Sequence, residues 1–210
     1  VASGRAKGWL IGVAVLGGVW LVQNGSETQL PPQPVAAGGA FRAGPGQHAA
    51  GTPPAADPLR PSAPVRLRIP HIGVDAPFVR LGLGRDGSLD VPPAANRNVV
   101  GWYKDGPPPG AAGTAIVAGH VDNERGKSVF YGLGTLEKGH AVEVVRKDGR
   151  TAVFTVDAVE VYENESFPDE RVYGAAEGSE LRVITCGGGF EEGVGYRGNV
   201  VVYAHLTAVR

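Results

Sequence analysis

Apolar and charged residues alternate along Val65-Arg66-Leu67-Arg68-Ile69, which predicts a half-buried strand. After a Pro70-His71-Ile72-Gly73 turn, residues 74–79 predict a second short strand, with Pro77 marking an edge or bulge. Residues 81–92 read as loop, turn and short strand, and residues 99–103 as another short apolar run. The run Thr114-Ala115-Ile116-Val117-Ala118-Gly119 has no polar face, as in a strand buried on both sides. Residues 129–136 suit a helical turn. Residues 141–145 and 151–156 flank Lys147-Asp148-Gly149-Arg150, and the Asp-Gly pair predicts a hairpin whose second arm extends toward Tyr162. A polar connection over residues 163–179 leads to a strand at 181–185, and residues 199–204 form the last one. No stretch has a long amphipathic helical period. About eight short strands separated by Gly/Pro turns predict an all-β barrel or sandwich over residues 64–210.

The amino-terminal third follows a different pattern. Residues 8–22 read GWLIGVAVLGGVWLV, uncharged and preceded by Arg5 and Lys7. Basic residues before an apolar run predict a transmembrane signal anchor over residues 1–23, with the amino terminus cytoplasmic and the rest extracellular. As a helix the run spans about 22 Å, against about 30 Å of hydrocarbon. A cleaved signal peptide shares this plan, but no Ala-x-Ala-like site follows closely. Residues 24–63 are dense in proline, alanine and glycine, without apolar periodicity. Such a chain buries too little surface to offset its ordering entropy, so it is expected to be a disordered linker.

Charge and cysteine content narrow the chemistry. A formal net charge of −1 and the lack of a long Lys/Arg run argue against nucleic acid as a partner. Cys186 is the single cysteine, so no intramolecular disulfide forms. It stands where the apolar run 181–185 meets three glycines, which places a thiol at a strand end before a turn. A lone cysteine also serves as a small buried filler, and this stretch alone leaves both readings open. A nucleophilic cysteine needs a base or a positive neighbour. His120 directly follows the apolar strand 114–119, as Cys186 directly follows its own strand. Arg197 precedes the last strand and reaches the same rim if that strand lies beside the cysteine strand. Asp122 lies close to His120 in sequence and reads either as a site residue or as a turn residue. Scattered carboxylates form no metal-ligand cluster, and neither a metal nor a cofactor is implied.

The set Ala118-Gly119-His120, Ile184-Thr185-Cys186-Gly187-Gly188 and Tyr196-Arg197 ahead of a Val-rich strand resembles the sortases. These are membrane-anchored cysteine transpeptidases of Gram-positive bacteria. Ile69-Pro70, Ile72-Gly73-Val74-Asp75-Ala76-Pro77 and Gly101-Trp102-Tyr103 extend the likeness, which looks closest to the actinobacterial class F group. The resemblance implies a closed eight-stranded β-barrel. It implies Cys186 as nucleophile, His120 as general acid/base, and Arg197 as the residue that positions substrate and stabilises the oxyanion. Thr185, Gly187 and Asp122 are expected at the substrate. The implied partners are surface proteins with an LPxTG-like sorting signal, cleaved between Thr and Gly, and an amine of a cell-wall precursor. The enzyme is expected to be a monomer at the cell membrane. An L,D-transpeptidase would place its cysteine in a Ser-x-Gly-Cys-like setting, which Val183-Ile184-Thr185-Cys186 lacks. A stalked β-barrel binding module with an inert thiol is the non-enzymatic alternative.

Overall fold

The structure is a computed structural model and describes residues 30–34 and 53–210. The strands are β1 (Pro64–Ile69), β2 (Val74–Leu81), β3 (Val100–Tyr103), β4 (Gly113–Ala118), β5 (Asp122–Asn123), β6 (Gly126–Lys127), β7 (Ala141–Arg146), β8 (Thr151–Glu163), β9 (Ser179–Glu191) and β10 (Gly195–Val209). Eight of them close into a barrel in the order β1-β2-β3-β4-β9-β10-β8-β7, while β5 and β6 form a separate two-stranded ribbon. The all-β, eight-stranded barrel expected from the sequence is therefore present. A 3-10 turn at Leu133–Thr135 falls inside the predicted helical turn. The Asp148-Gly149 hairpin is also found, with Gly149 at φ 81°.

Strand parity builds two apolar layers. Ala115, Val117, Leu181, Val183, Val200 and Val202 point into the barrel and join its core with Phe130, Leu133 and Phe154. Their neighbours Ile116, Ile184, Val201 and Tyr203 point outward, where Val172 of the short helix α1 (Asp169–Tyr173) and Phe167 cover them. Each aliphatic side chain buried this way contributes about 1.5–3 kcal/mol. This second layer explains why β4 reads as apolar on both faces. It also requires the polar connection 163–179 to lie against the barrel, with Val172 as its buried apolar residue.

The last strands are longer than their apolar cores. The strand over 181–185 does not end at Cys186: β9 continues through the glycines to Glu191, and the turn falls after it, before β10 begins at Gly195. Three glycines in a row read as a turn because local sequence carries no trace of the ladder that β10 supplies.

One expectation for the amino-terminal region is corrected. Among the described residues no helix is long and apolar enough to cross a membrane. The five-residue α1 spans only about 7.5 Å of the roughly 30 Å required. Residues 8–22, on which the anchor was expected, lie outside the described residues. The architecture of the described residues is thus the barrel, with no transmembrane helix among them. Membrane contact, single-pass topology, the cytoplasmic amino terminus and the extracellular placement that depended on that helix are not carried forward. Residues 53–63, expected within a disordered linker, are hydrogen-bonded to the barrel. Ala56 N–H donates to Leu206 O at 2.8 Å and Leu59 N–H to Gly110 O at 2.7 Å. The buried Arg146 guanidinium donates to the carbonyls of Arg60 and Pro109 and pairs with Asp148 at 3.1 Å. Backbone groups without side-chain periodicity thus dock by hydrogen bonding, a route that hydrophobic pattern does not register.

Candidate active site

Cys186 lies within β9, paired with Asn199 of β10, and its side chain is exposed. It follows the outward parity of Ile184, so the thiol faces away from the barrel core. Its neighbours in sequence are buried. Thr185 Oγ1 donates to Gly119 O at 2.8 Å, and Gly187 packs against Val200, whose Cγ2 would lie 2.7 Å from an added Cβ.

His120 reaches this region through parallel pairing. β4 runs beside β9 with Ala118 opposite Ile184, and Gly119 N–H donates to Ile184 O at 3.2 Å. His120 and Cys186 stand two residues beyond that pair, at equivalent positions on adjoining chains. The half-buried imidazole is held by its Nε2, 2.7 Å from Pro92 O. A carbonyl only accepts, so Nε2 donates to it, and Nδ1 is the ring nitrogen that this contact leaves unengaged. Among the described residues no hydrogen bond joins His120 to Cys186.

Arg197 sits at a break in the β9–β10 register. Tyr196 pairs with Phe190 and Gly198 with Gly187, so Arg197 alone faces Gly188 and Gly189. This is a two-against-one bulge, and it draws on the left-handed φ of both glycines, 74° and 91°. Close approach fixes its other side, because a Cβ on Gly198 would fall 2.1 Å from Tyr162 O. The Arg197 guanidinium is 65% exposed and stands 3.6 Å from the Glu191 carboxylate. The structure thus brings Arg197 to the cysteine strand, as expected, but with its charge turned toward Glu191.

Asp122 begins the β5–β6 ribbon just after His120 and accepts a hydrogen bond from the Tyr196 hydroxyl. Partial desolvation of the sulfur by the surrounding chain first, and then the Asp122 charge, push the Cys186 thiol above its ordinary pKa. Burial and the Asp122 contact also push the Tyr196 hydroxyl upward. The resting sulfur is therefore a thiol at neutral pH, and a base must take its proton before it attacks. Asp122 supplies the local negative charge that makes this harder.

Three groups near the site escaped sequence reasoning. Tyr196 carried a signal, since it adjoins Arg197 in the motif that drew attention. Pro92 contributes only a carbonyl, which no residue-type pattern reveals. Gln33 lies in the proline-rich region, and its Oε1 accepts from Gly188 N–H at 3.1 Å. Among the described residues no group of three or more His, Cys, Asp or Glu is placed to hold a metal ion.

The barrel is similar to several solved structures. Sortase A from Corynebacterium diphtheriae matches with a TM-score of 0.53 and 18% identity over 71% of this chain and 62% of that one. This chain thus spans less than two thirds of that relative's length. Sortase A of Listeria monocytogenes matches with a TM-score of 0.53 and 13% identity, over 71% of this chain and 90% of that one. The SrtA sortase from Actinomyces oris matches with a TM-score of 0.51 and 18% identity, over 78% of this chain and 91% of that one. At such identities these likenesses establish the fold alone. No curated protein matches the chain significantly. Residues 67–207, well over half of the chain, match the family described as the Sortase domain. On that match, and with the barrel that carries it, this chain belongs to the sortase family.

Proposed function

We propose that this chain is a cysteine transpeptidase acting on LPxTG-like sorting signals, with Cys186, His120 and Arg197 as its catalytic residues. The observation that carries the reading is the β4–β9 pairing, with Ala118 opposite Ile184, which sets His120 and Cys186 at matching positions beside an exposed thiol. The arginine-bearing bulge of β10 lies on the other side of the same strand.

In the proposed cycle His120 takes the thiol proton, and the Cys186 thiolate attacks the Thr carbonyl carbon of the signal. Arg197 turns from Glu191 to the oxyanion of the tetrahedral intermediate. Collapse breaks the Thr–Gly bond, and the imidazolium of His120 protonates the departing Gly amine. The product is a thioester on Cys186. A cell-wall amine then attacks it, His120 accepts that amine's proton, and the amide leaves as the thiolate is reprotonated. Water in place of the amine gives hydrolysis. Thr185 and Gly187 line the β9 backbone on either side of the nucleophile, and Asp122 flanks it through Tyr196. The wider motif set favours a class F-like member, whose acyl donors would be surface proteins.

The test combines a fluorogenic Leu-Pro-Ala-Thr-Gly peptide with an amine acceptor and mass spectrometry of the quenched enzyme. Wild type should gain the mass of the acyl fragment on Cys186 and release an amine conjugate, and Cys186→Ala should do neither. Turnover by Cys186→Ala refutes the mechanism. A wild-type thiol that never acylates favours the binding-module alternative.

A further inference from the structure

We infer that the rim beside Cys186 carries a recognition site for the acceptor amine in its charged form, a lysine-type alkylammonium held by Asp122, Tyr196 and Phe190. The site itself stands on geometry. Its place in the reaction rests on the sortase reading, which supplies the thioester that the amine meets.

Asp122 is half-buried, stands two residues after His120 and opens the β5–β6 ribbon. Its Oδ2 accepts from the Tyr196 hydroxyl. Among the described residues no other side chain hydrogen-bonds to this carboxylate, and no cation ion-pairs with it. A cation of the chain is at hand, because Lys127 is the ribbon residue paired with Asp122. Its ammonium lies instead over the Tyr131 ring, 4.4 Å from the centroid. The Arg197 guanidinium stands 3.6 Å from Glu191. Asp122 thus keeps Oδ1 for a donor from outside the chain.

The sign of the charge says what that donor is. Desolvation, and after it the Asp122 carboxylate, raise the Cys186 thiol pKa, so this charge opposes the first half of the reaction. A negative charge that hinders the nucleophile has the right sign for a cationic second substrate. A lysine-type amine is such a substrate, since its ordinary pKa of about 10.4 keeps it protonated at neutral pH.

The neighbouring rings suit the stem of that ligand. Tyr196 meets Phe190 edge-on, with centroids 5.3 Å apart and planes at 69°, and Phe190 is 51% exposed. Aromatic faces attract ammonium groups, and apolar surface covers their methylene stems. Lys127 on Tyr131 makes the same kind of contact beside the ribbon. The bound ammonium loses one proton to water. The neutral amine then attacks the thioester carbonyl, forming the C–N bond and breaking the C–S bond. Its second proton passes through His120 to the departing sulfur, which restores the thiol. Attack builds positive charge on the nitrogen, which a nearby carboxylate also favours.

Two measurements on the full chain test the site. The first needs no turnover. Cys186 is alkylated at neutral pH with 2-bromoethylammonium, a small cation, and with neutral iodoacetamide, and the ratio of the two rates is compared with that of N-acetylcysteine amide. Wild type should favour the cation at least threefold over this reference. Asp122→Asn, which keeps an acceptor for Tyr196, should lose the preference, and Asp122→Glu should retain it. The second measurement offers Nα-acetyl-lysine amide and hydroxylamine, which is uncharged at neutral pH, to the thioester formed from Leu-Pro-Ala-Thr-Gly. Both acceptors draw on one thioester, so their product ratio is independent of how fast it forms. The lysine-to-hydroxylamine ratio should fall at least fivefold in Asp122→Asn and by a smaller factor in Phe190→Ala. A wild type without cation preference, a preference that survives Asp122→Asn, or a product ratio that either substitution leaves unchanged overturns the inference. The two readings fail separately. Cation-selective labelling of a chain that never acylates leaves the ammonium site and removes the sortase mechanism. Acylation without cation selectivity leaves the mechanism and removes the site.

Discussion

Near its carboxyl end β10 carries His205, 1% exposed, with both ring nitrogens bonded: Nδ1 to Asp157 at 2.9 Å and Nε2 to Pro53 O at 2.9 Å. Near its amino end the same strand carries Arg197, 65% exposed and 3.6 Å from Glu191. One end of the β9–β10 ladder has spent its polar groups on the fold, and the other holds them in reserve. Backbone geometry makes the difference. Around His205 the register with β9 is unbroken and residues 53–63 cover the strand, so an unpaired polar group there would be costly. Around Arg197 the glycine bulge breaks the register and leaves a thiol, a guanidinium and a backbone N–H near the rim. Asp157 and the Pro53 carbonyl both accept, so His205 is fully satisfied only as the imidazolium. Burial opposes that charge, but these partners outweigh it and raise the His205 pKa.

The contrast predicts opposite responses to mutation at the two ends. The largest effect belongs to the open end: Cys186→Ala should remove peptide turnover to background in a fluorogenic assay and leave Tm within about 2 °C, because an exposed side chain carries little packing. Arg197→Ala should lower kcat about 10²–10³-fold, the cost of a lost oxyanion donor, again with little change in Tm. A large loss of stability in either variant would mean that the open end is also structural. At the closed end His205→Ala strands the Asp157 carboxylate and the Pro53 carbonyl. It should cost about 3 kcal/mol in chemical denaturation, with kcat of the folded fraction unchanged.

Smaller effects come from titration. The raised His205 pKa means that its stabilising contribution is complete below the unfolded value near 6.5 and is lost as pH rises through the folded value. His205→Gln should remove this component from the Tm profile. A wild-type profile with no decline above pH 6.5 would overturn the charged assignment. The Cys186 thiol is raised instead, so iodoacetamide labelling should still be accelerating with pH above the ordinary thiol range near 8.5. Asp122→Asn keeps an acceptor for Tyr196 while removing the charge, and it should speed labelling a few-fold at pH 7.5. An unchanged rate would leave burial alone as the cause.

Much of the barrel was legible because its inner layer is written in period two. Residues 65–69 alternate cleanly, and the Asp148-Gly149 pair marks its turn without outside help. The candidate residues Cys186, His120 and Arg197 could be singled out because each stands near the end of an apolar run. The course of β9 beyond Cys186 was not legible, because Gly187-Gly188-Gly189 has no side chains to pattern and takes its strand character from pairing with β10. The docking of residues 53–63 and 31–34 escaped for a related reason. Both attach mainly through backbone and amide hydrogen bonds, which composition does not record.

The sequence by itself determined that the chain makes β-strands around one core, that the run 114–119 is buried on both faces, and that Cys186 is its single thiol. These follow from local spacing of apolar residues and from a residue type that occurs once. Tertiary structure decided which strands lie side by side, and with that everything relational about the site. The parallel pairing of β4 with β9 aligns His120 with Cys186, the bulge turns Arg197 to the rim, and a proline-rich segment comes to rest on Gly134 and Gly188. Contacts between residues far apart in the chain depend on closing the barrel, and no local pattern contains that closure.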